Sequence, residues 1–78
     1  MPLIQAKVIE NVFSTEQKAE IIQKLSDAMV SIEGEKMRPV TWVVIEEVKS
    51  GAWAIGGQAL STEAVREMAE TARSAPER

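Results

Sequence analysis

The segment Val40-Thr41-Trp42-Val43-Val44-Ile45 constrains the fold of this chain most strongly, because it is β-branched and aromatic throughout. A near-continuous apolar run of this kind is typical of a strand that is buried on both faces. Residues 3–10 predict a second strand, because their apolar and polar side chains alternate. One face of that strand carries Ile4, Ala6 and Val8, and the other carries Leu3, Gln5, Lys7 and Ile9.

A single amphipathic helix separates the two strands. Ser14 is a good N-cap, and Gln17 three residues later completes a capping box. From Thr15 to about residue 32 the apolar residues recur with helical spacing; they are Ile21, Ile22, Leu25, Ala28, Met29 and Ile32. Strand, helix and strand with one crossover predict a parallel, right-handed βαβ unit. One helix cannot cover both faces of its sheet, so one face is expected to meet another copy of the chain.

The segment after this unit predicts a short hairpin or turn and an extra helix. Residues 52–55 suit a short strand or hairpin arm, and Gly56-Gly57 suits a tight turn. Ser61 is the expected N-cap of a helix from Thr62 to about Arg73. We therefore expect one α/β domain over residues 1–73 and a flexible tail over residues 74–78.

The amino-acid composition excludes several classes of functional site. The 78 residues include no cysteine, which excludes disulfides and thiolate metal sites, and no histidine, the commonest metal ligand and general base. A domain of this size has a marginal core, and partner subunits are the remaining way to strengthen it. We expect a homo-oligomer without a metal or cofactor, in which carboxylates, lysines or the terminal amine do any proton transfer.

Charge and hydropathy limit the binding partners and the cellular location that we expect. The formal net charge of −3 argues against nucleic acid, which requires a basic face. No apolar run approaches the roughly 20 residues of a membrane span, and the first residues do not resemble a signal peptide. The expected location is cytoplasmic, with neither nucleic acid nor membrane as a partner.

The first two residues suggest a group that could transfer protons. Proline beside an initiator methionine normally permits removal of the methionine, which would leave Pro2 with a free secondary amine. An ordinary α-amino group has a pKa of roughly 7.7–8.0, and desolvation or nearby cations lower the pKa of an amine. The result would be an unprotonated base near neutral pH. If Met1 is retained, the same nitrogen is a non-basic amide, and Pro2 is then simply the start of an edge strand.

Four segments together resemble the 4-oxalocrotonate tautomerase family, in their order and spacing over residues 2–60. They are the Met-Pro start, the helix opening Ser14-Thr15-Glu16-Gln17-Lys18, the strand Trp42-Val43-Val44-Ile45-Glu46-Glu47-Val48, and the turn Trp53-Ala54-Ile55-Gly56-Gly57. The resemblance implies a hexamer built as a trimer of dimers, with pockets completed by neighbouring subunits. It also implies that the terminal proline moves a proton between carbons of a keto or enol acid, without a metal or cofactor.

The resemblance also implies roles for individual residues. Pro2 matches the catalytic proline, Trp53 matches the aromatic residue that walls the pocket, and Ile9 and Ile55 fall at apolar pocket positions. Trp53 is equally compatible with a role as an interface anchor.

The chain departs from the family pattern where the substrate carboxylates are held. Val12 and Trp42 stand where that pattern has two arginines, and neither can replace a bidentate guanidinium. The remaining candidates for the substrate anion are Lys7, Arg38 and Lys49, of which Lys49 is the first and Arg38 the second. Trp42 suits packing or stacking against an aromatic substrate.

The function indicated is that of a tautomerase-like isomerase acting on a small organic acid, with Pro2 as acid and base. Two alternatives stay open. One is a non-catalytic, oligomeric small-molecule-binding protein with the same fold, and the other is a hydratase or dehalogenase of small unsaturated acids.

Overall fold

The computed structural model describes residues 2–74, and the order of its elements is the predicted one. Strand β1 (Leu3–Ile9), helix α1 (Thr15–Glu33) and strand β2 (Trp42–Val48) form the β-α-β arrangement. Strands β3 (Trp53–Ile55) and β4 (Gln58–Leu60) and helix α2 (Thr62–Ser74) follow. The α/β fold predicted from the sequence is therefore confirmed. Helix α2 includes Ser74, and the rest of the predicted flexible tail, residues 75–78, lies outside the described residues.

The chain divides into two compact units. The first comprises the residues up to Val8 together with Phe13–Glu46, and the second comprises Ile9–Val12 together with the residues from Glu47 onward. The first unit contains α1 and most of both long strands, whereas the second contains the hairpin and α2. The prediction of a single domain over residues 1–73 stays a prediction.

Strands β1 and β2 pair in one two-stranded sheet. At its beginning the main-chain N–H of Trp42 donates to the oxygen of Pro2 at 3.0 Å, and at its end the N–H of Glu10 donates to the oxygen of Val48 at 2.7 Å. Since both strands advance in the same direction between these bonds, they are parallel, as the single helical crossover predicts. The alternation in β1 is also observed, because Leu3, Gln5 and Lys7 are exposed and the residues between them are half-buried.

The ends of α1 follow from local hydrogen bonds. The Ser14 hydroxyl accepts the Gln17 N–H at 3.1 Å, and the Gln17 side chain accepts the Ser14 N–H at 2.9 Å, which confirms the capping box. Gly34, with φ of 108°, ends the helix in a backbone conformation that favours glycine.

A 3₁₀ helix over Glu35–Val40 follows α1 and was not predicted. Its bonds include Met37 N–H to Gly34 O at 3.0 Å and Thr41 N–H to Arg38 O at 3.2 Å. Pro39 fits this turn because its ring fixes φ at a helical value. Strand β2 consequently begins at Trp42, two residues after the predicted start; its apolar run ends at Ile45, and the strand continues to Val48.

The C-terminal elements match their predicted turn chemistry. Strands β3 and β4 form an antiparallel hairpin in which Ile55 pairs with Gln58, so that Gly56-Gly57 is a two-residue turn. Both glycines have positive φ, 59° and 84°, as a type I′ turn requires. Ser61 caps α2 as expected, since its hydroxyl accepts the Ala64 N–H at 3.1 Å.

Few side chains are buried within one copy of the chain. Among the described residues only Ile9, Val30 and Thr62 are buried. The stripe predicted for α1 requires a correction, because it omitted Val30 and included Ile32, which is 85% exposed. The apolar residues of α1 cover a wide arc, so spacing alone does not tell which of them the rest of the chain covers. The exposed large apolar side chains are Leu3, Ile22, Ile32, Val40, Trp42, Ile55 and Met68.

Candidate functional site

Pro2 is joined to β2 by its main chain. Its carbonyl oxygen accepts the N–H of Trp42 at 3.0 Å, and the residue is half-buried. Residue 2 is thus tied to the sheet at the point where β1 begins, and the bond constrains the position of its ring. The side chain of Trp42, at the start of β2, is 54% exposed.

Arg38 lies in the 3₁₀ helix of the same unit and is already bound by two carboxylates. Its Nη1 donates to Asp27 Oδ1 at 2.9 Å, and its Nε donates to a carboxylate oxygen of Glu35. The hydrogen bonds to Glu35 and Asp27 raise the pKa of the guanidinium above its usual value. The role of Arg38 in substrate binding stays a prediction, and a substrate anion would have to compete with both carboxylates.

The second unit contains the remaining residues that were singled out from the sequence. Trp53 and Ile55 lie two residues apart in β3, so their side chains share one face of the hairpin. Trp53 is half-buried, whereas Ile55 is 61% exposed. Ile9, at the end of β1, is 4% exposed and belongs to the core in one copy of the chain. Lys49 is exposed, and its main-chain oxygen accepts the Ala52 N–H at 2.9 Å.

A polar network at the start of α2 was missed by sequence reasoning. The Thr62 hydroxyl donates to the main-chain oxygen of Glu10 at 2.8 Å, and the Thr62 N–H donates to the Ser50 hydroxyl at 2.9 Å. The Glu10 carboxylate accepts the Ser50 N–H at 2.8 Å, which closes the network. Thr62 is 8% exposed, so its hydroxyl is buried with its partners satisfied.

Arg66 lies one turn further along α2 and binds Asn11, the residue that follows Glu10. Its Nε donates to the main-chain oxygen of Asn11 at 2.8 Å, and its Nη2 donates to the same oxygen. Asn11 has a φ of 63°, in the left-handed region that asparagine tolerates better than most residues. Two side chains of α2 therefore hold two successive carbonyl groups of the turn that follows β1. An arginine one helical turn after Thr62 gives no sequence pattern that would have identified this contact.

A surface cleft lies beside the first turns of α1, and none of its lining residues was singled out from the sequence as a site residue. It is lined by Phe13, Gln17, Glu20, Ile21 and Lys24. Lys24 Nζ is 2.8 Å from a carboxylate oxygen of Glu20, and this hydrogen bond lowers the pKa of Glu20 and raises that of Lys24. Within residues 2–74, no three acidic side chains are grouped as a metal site would require. No helix in the same range is long and apolar enough to cross a bilayer.

Comparison with known proteins identifies the family. A family model described as tautomerase enzyme matches residues 2–63. The chain belongs to the tautomerase family. A search of curated proteins gives no match.

Three solved structures share the fold of this family member. Apo unfused 4-OT is 32% identical with a TM-score of 0.67, over 76% of this chain and 93% of its own. DmpI from Helicobacter pylori is 31% identical with a TM-score of 0.66, over 76% and 95% of the two chains. A 4-oxalocrotonate tautomerase isozyme from Methylibium petroleiphilum is 31% identical with a TM-score of 0.66, over 82% and 97%.

Proposed function

We propose that this tautomerase-family chain is a cofactor-independent isomerase that moves a proton between two carbons of a small keto or enol acid. The nitrogen of Pro2 accepts the proton as a C–H bond of a keto acid, or the O–H bond of an enol acid, breaks, and the electron pair moves into the conjugated system. The same nitrogen then returns the proton to a carbon at the other end of that system. Substrate and product are isomers, so no other reactant is needed.

The observation that supports this role most directly is the attachment of Pro2 to β2. The hydrogen bond from Trp42 constrains the residue that carries the base. A proton-transfer group must be held within hydrogen-bonding reach of its target, and a terminus tied to a sheet meets this requirement better than a free tail. Removal of Met1 is a condition of the proposal, because only then is the nitrogen a secondary amine.

The substrate-binding residues are proposed from the family resemblance and from the chemistry of the chain. Trp53, Ile55 and Ile9 would supply apolar walls, and Trp42 would stack on an aromatic substrate. The substrate carboxylate requires a cation, for which Lys49 is the first candidate from the sequence. We further propose that the chain is cytoplasmic and acts as a homo-oligomer, with six subunits as the expected number.

Comparison of Pro2→Ala with wild type tests the proposed base. Wild type, with loss of Met1 verified by intact mass, should isomerise a phenyl-bearing enol acid at a rate that rises with pH as the amine loses its proton. Pro2→Ala should retain the circular dichroism spectrum and lose roughly 10²-fold or more of kcat, since positioned general bases contribute about 10²–10⁴-fold.

The matched control is Pro39→Ala, which removes a proline from the 3₁₀ helix and should leave the pH–rate profile unchanged. Equal rates for Pro2→Ala and wild type across the pH range would remove Pro2 from the mechanism. Saturable binding of the acid without isomerisation would instead support a non-catalytic binding protein. Release of halide or addition of water to an unsaturated acid would support the hydratase or dehalogenase.

A further inference from the structure

The cleft beside the first turns of α1 has the arrangement of a hole that receives a side chain from another helix. Four of its five lining residues lie on one face of α1, at positions i, i+3, i+4 and i+7; they are Gln17, Glu20, Ile21 and Lys24. In paired helices, a set of four residues of this kind surrounds one side chain of the facing helix. Phe13, just before the N-cap, completes the lining.

The size and charge of this cleft suit an apolar side chain. Its volume of about 230 Å³ is below the roughly 300–1,000 Å³ of small-molecule pockets. Phe13 and Ile21 supply half-buried apolar walls. The charges of Glu20 and Lys24 compensate each other, since their side chains form an ion pair at 2.8 Å. The cleft therefore offers apolar contact without an uncompensated charge for an ionic ligand.

The same helix carries an apolar seam that its own copy of the chain leaves partly uncovered. Four apolar residues recur at spacings of four, three and four positions, which is typical of a seam between two helices; they are Ile21, Leu25, Ala28 and Ile32. None of them is buried, and Ile32 is 85% exposed. The buried residue of α1, Val30, lies about 160° from Ile32 around the helix. The end of the seam at Ile32 therefore points away from the side of α1 that its own copy covers.

The accessible surface of the chain is large enough to supply an interface with a second copy. It amounts to 6016 Å² for a mass of 8.6 kDa, whereas a compact monomer of that mass exposes about 4,700 Å². The excess of roughly 1,300 Å² is more than the roughly 800 Å² that each partner contributes to a stable interface. A second copy of the chain is thus the occupant of the cleft that the surface area supports.

We propose that Ile32 of each copy inserts into the cleft of a second copy, with the two α1 helices antiparallel about a two-fold axis. The cleft is near the start of α1 and Ile32 near its end, so only the antiparallel arrangement forms both contacts at once. The register that places Ile32 opposite the cleft also places Leu25 of each copy opposite Ala28 of the other, and a large residue then meets a small one. This inference rests on the homo-oligomer of the proposed function, and it is independent of the isomerisation.

Disulfide cross-linking between two single-cysteine variants tests this register on the full chain, which contains no cysteine of its own. In the proposed pair, Ile32 of one copy lies beside Ile21 of the other, where the Cα atoms come within the roughly 7 Å that a disulfide spans. The two Ile32 residues of the pair are about 17 Å apart along the helices. Ile21→Cys and Ile32→Cys are therefore purified separately, mixed, allowed to exchange subunits and oxidised. Ala19→Cys, at an exposed position on another face of α1, replaces Ile21→Cys in the control mixture.

We expect the mixture of Ile21→Cys and Ile32→Cys to give at least about tenfold more covalent dimer than either variant alone or the control mixture, because a disulfide requires this proximity. Non-reducing electrophoresis and intact mass measure the yield. Ile32→Ala provides an independent measurement and should retain the fold, since it alters a highly exposed side chain. It should raise the dissociation constant of the multimer in sedimentation by about tenfold or more, as loss of a buried large apolar side chain implies.

Three outcomes would overturn the proposed contact: no covalent dimer in the mixture, an equal yield in the control mixture, or efficient cross-linking of Ile32→Cys with itself. Failure of the proposed function is distinguishable, because cross-linking needs no turnover. A multimer in light scattering that lacks the cross-link would retain the homo-oligomer and reject this inference. The expected cross-link in a protein that does not isomerise enol acids would retain this inference and reject the enzyme.

Discussion

Val12 and Trp42 occupy the positions at which two arginines hold carboxylates in the family pattern. A dicarboxylate that entered the proposed site would therefore lack both of these guanidinium groups for its two anionic groups. Burying a carboxylate without a partner beside an indole commonly costs several kcal/mol. The exposed indole of Trp42, by contrast, offers an apolar surface for an aromatic ring.

We accordingly expect a phenyl-bearing enol monocarboxylate to be a better substrate than 4-oxalocrotonate. The measurement is kcat/KM for both acids on one preparation from which loss of Met1 has been verified. If the dicarboxylate is preferred by tenfold or more, about 1.4 kcal/mol in transition-state binding, a second cation must hold its other carboxylate, and the argument from Val12 and Trp42 is wrong.

At the scale of elements, the β3–β4 hairpin depends on the backbone of its turn. Gly56 has a φ of 59°, and a Cβ added there would meet no atom within 4 Å. A substitution at this position therefore tests backbone conformation without a steric clash. Asparagine tolerates the left-handed region, whereas a β-branched residue does not.

Gly56→Asn should retain the unfolding temperature of wild type within a few degrees, and Gly56→Val should lower the free energy of unfolding by about 1–2 kcal/mol. Thermal and denaturant unfolding at equal protein concentration compare the two variants. Equal stability of the two variants would show that the turn has no left-handed requirement at Gly56.

Most of helix α2 lies beyond the residues that the family model matches. The family match ends at residue 63, whereas α2 spans Thr62–Ser74. Its first two turns nevertheless make the contacts to Glu10 and Asn11, so the helix is attached to the turn after β1.

At the scale of the whole molecule, one copy of the chain buries too few apolar side chains for an independent core. Ile9 and Val30 are the buried apolar residues in the described range, whereas Leu3, Ile32, Trp42 and Ile55 are each more than half exposed. Full burial of a large apolar side chain contributes about 1.5–3 kcal/mol. Association of copies is the available way to obtain that contribution.

We expect light scattering and sedimentation at micromolar concentration to show a multimer, with an unfolding temperature that rises with protein concentration. Ile32→Glu should shift the population toward smaller species, because it places a charge on the most exposed of these apolar side chains. Ala19→Glu adds the same charge at another exposed position of α1 and serves as the control. A stable, folded wild-type monomer would contradict the prediction.

Local sequence patterns were sufficient to predict both α-helices, the two long strands and the hairpin turn, but not the 3₁₀ helix. The capping box involves Ser14 and Gln17, and the hairpin turn involves two adjacent glycines. Both motifs span only two to four residues, so the helix start and the turn can be predicted from the sequence. The order of strand, helix and strand likewise determined that β1 and β2 are parallel, because one helical crossover between neighbouring strands permits little else. The same order of segments identified the family, and Pro2, Trp53 and Ile55 as candidates.

The tertiary structure alone decided which charges stay available and which side chains are covered. Arg66 meets Asn11 across 55 positions and Arg38 meets Asp27 across 11, so neither contact follows from helical spacing. Likewise, Val30 is buried and Ile32 exposed although both lie in the last turn and a half of α1. A periodic pattern indicates which residues are apolar or charged. The contact partner of each residue depends instead on which distant segments of the chain pack together. For that reason Arg38 was selected from the sequence as a candidate for the substrate anion, whereas its two carboxylate partners were recognised only in the fold.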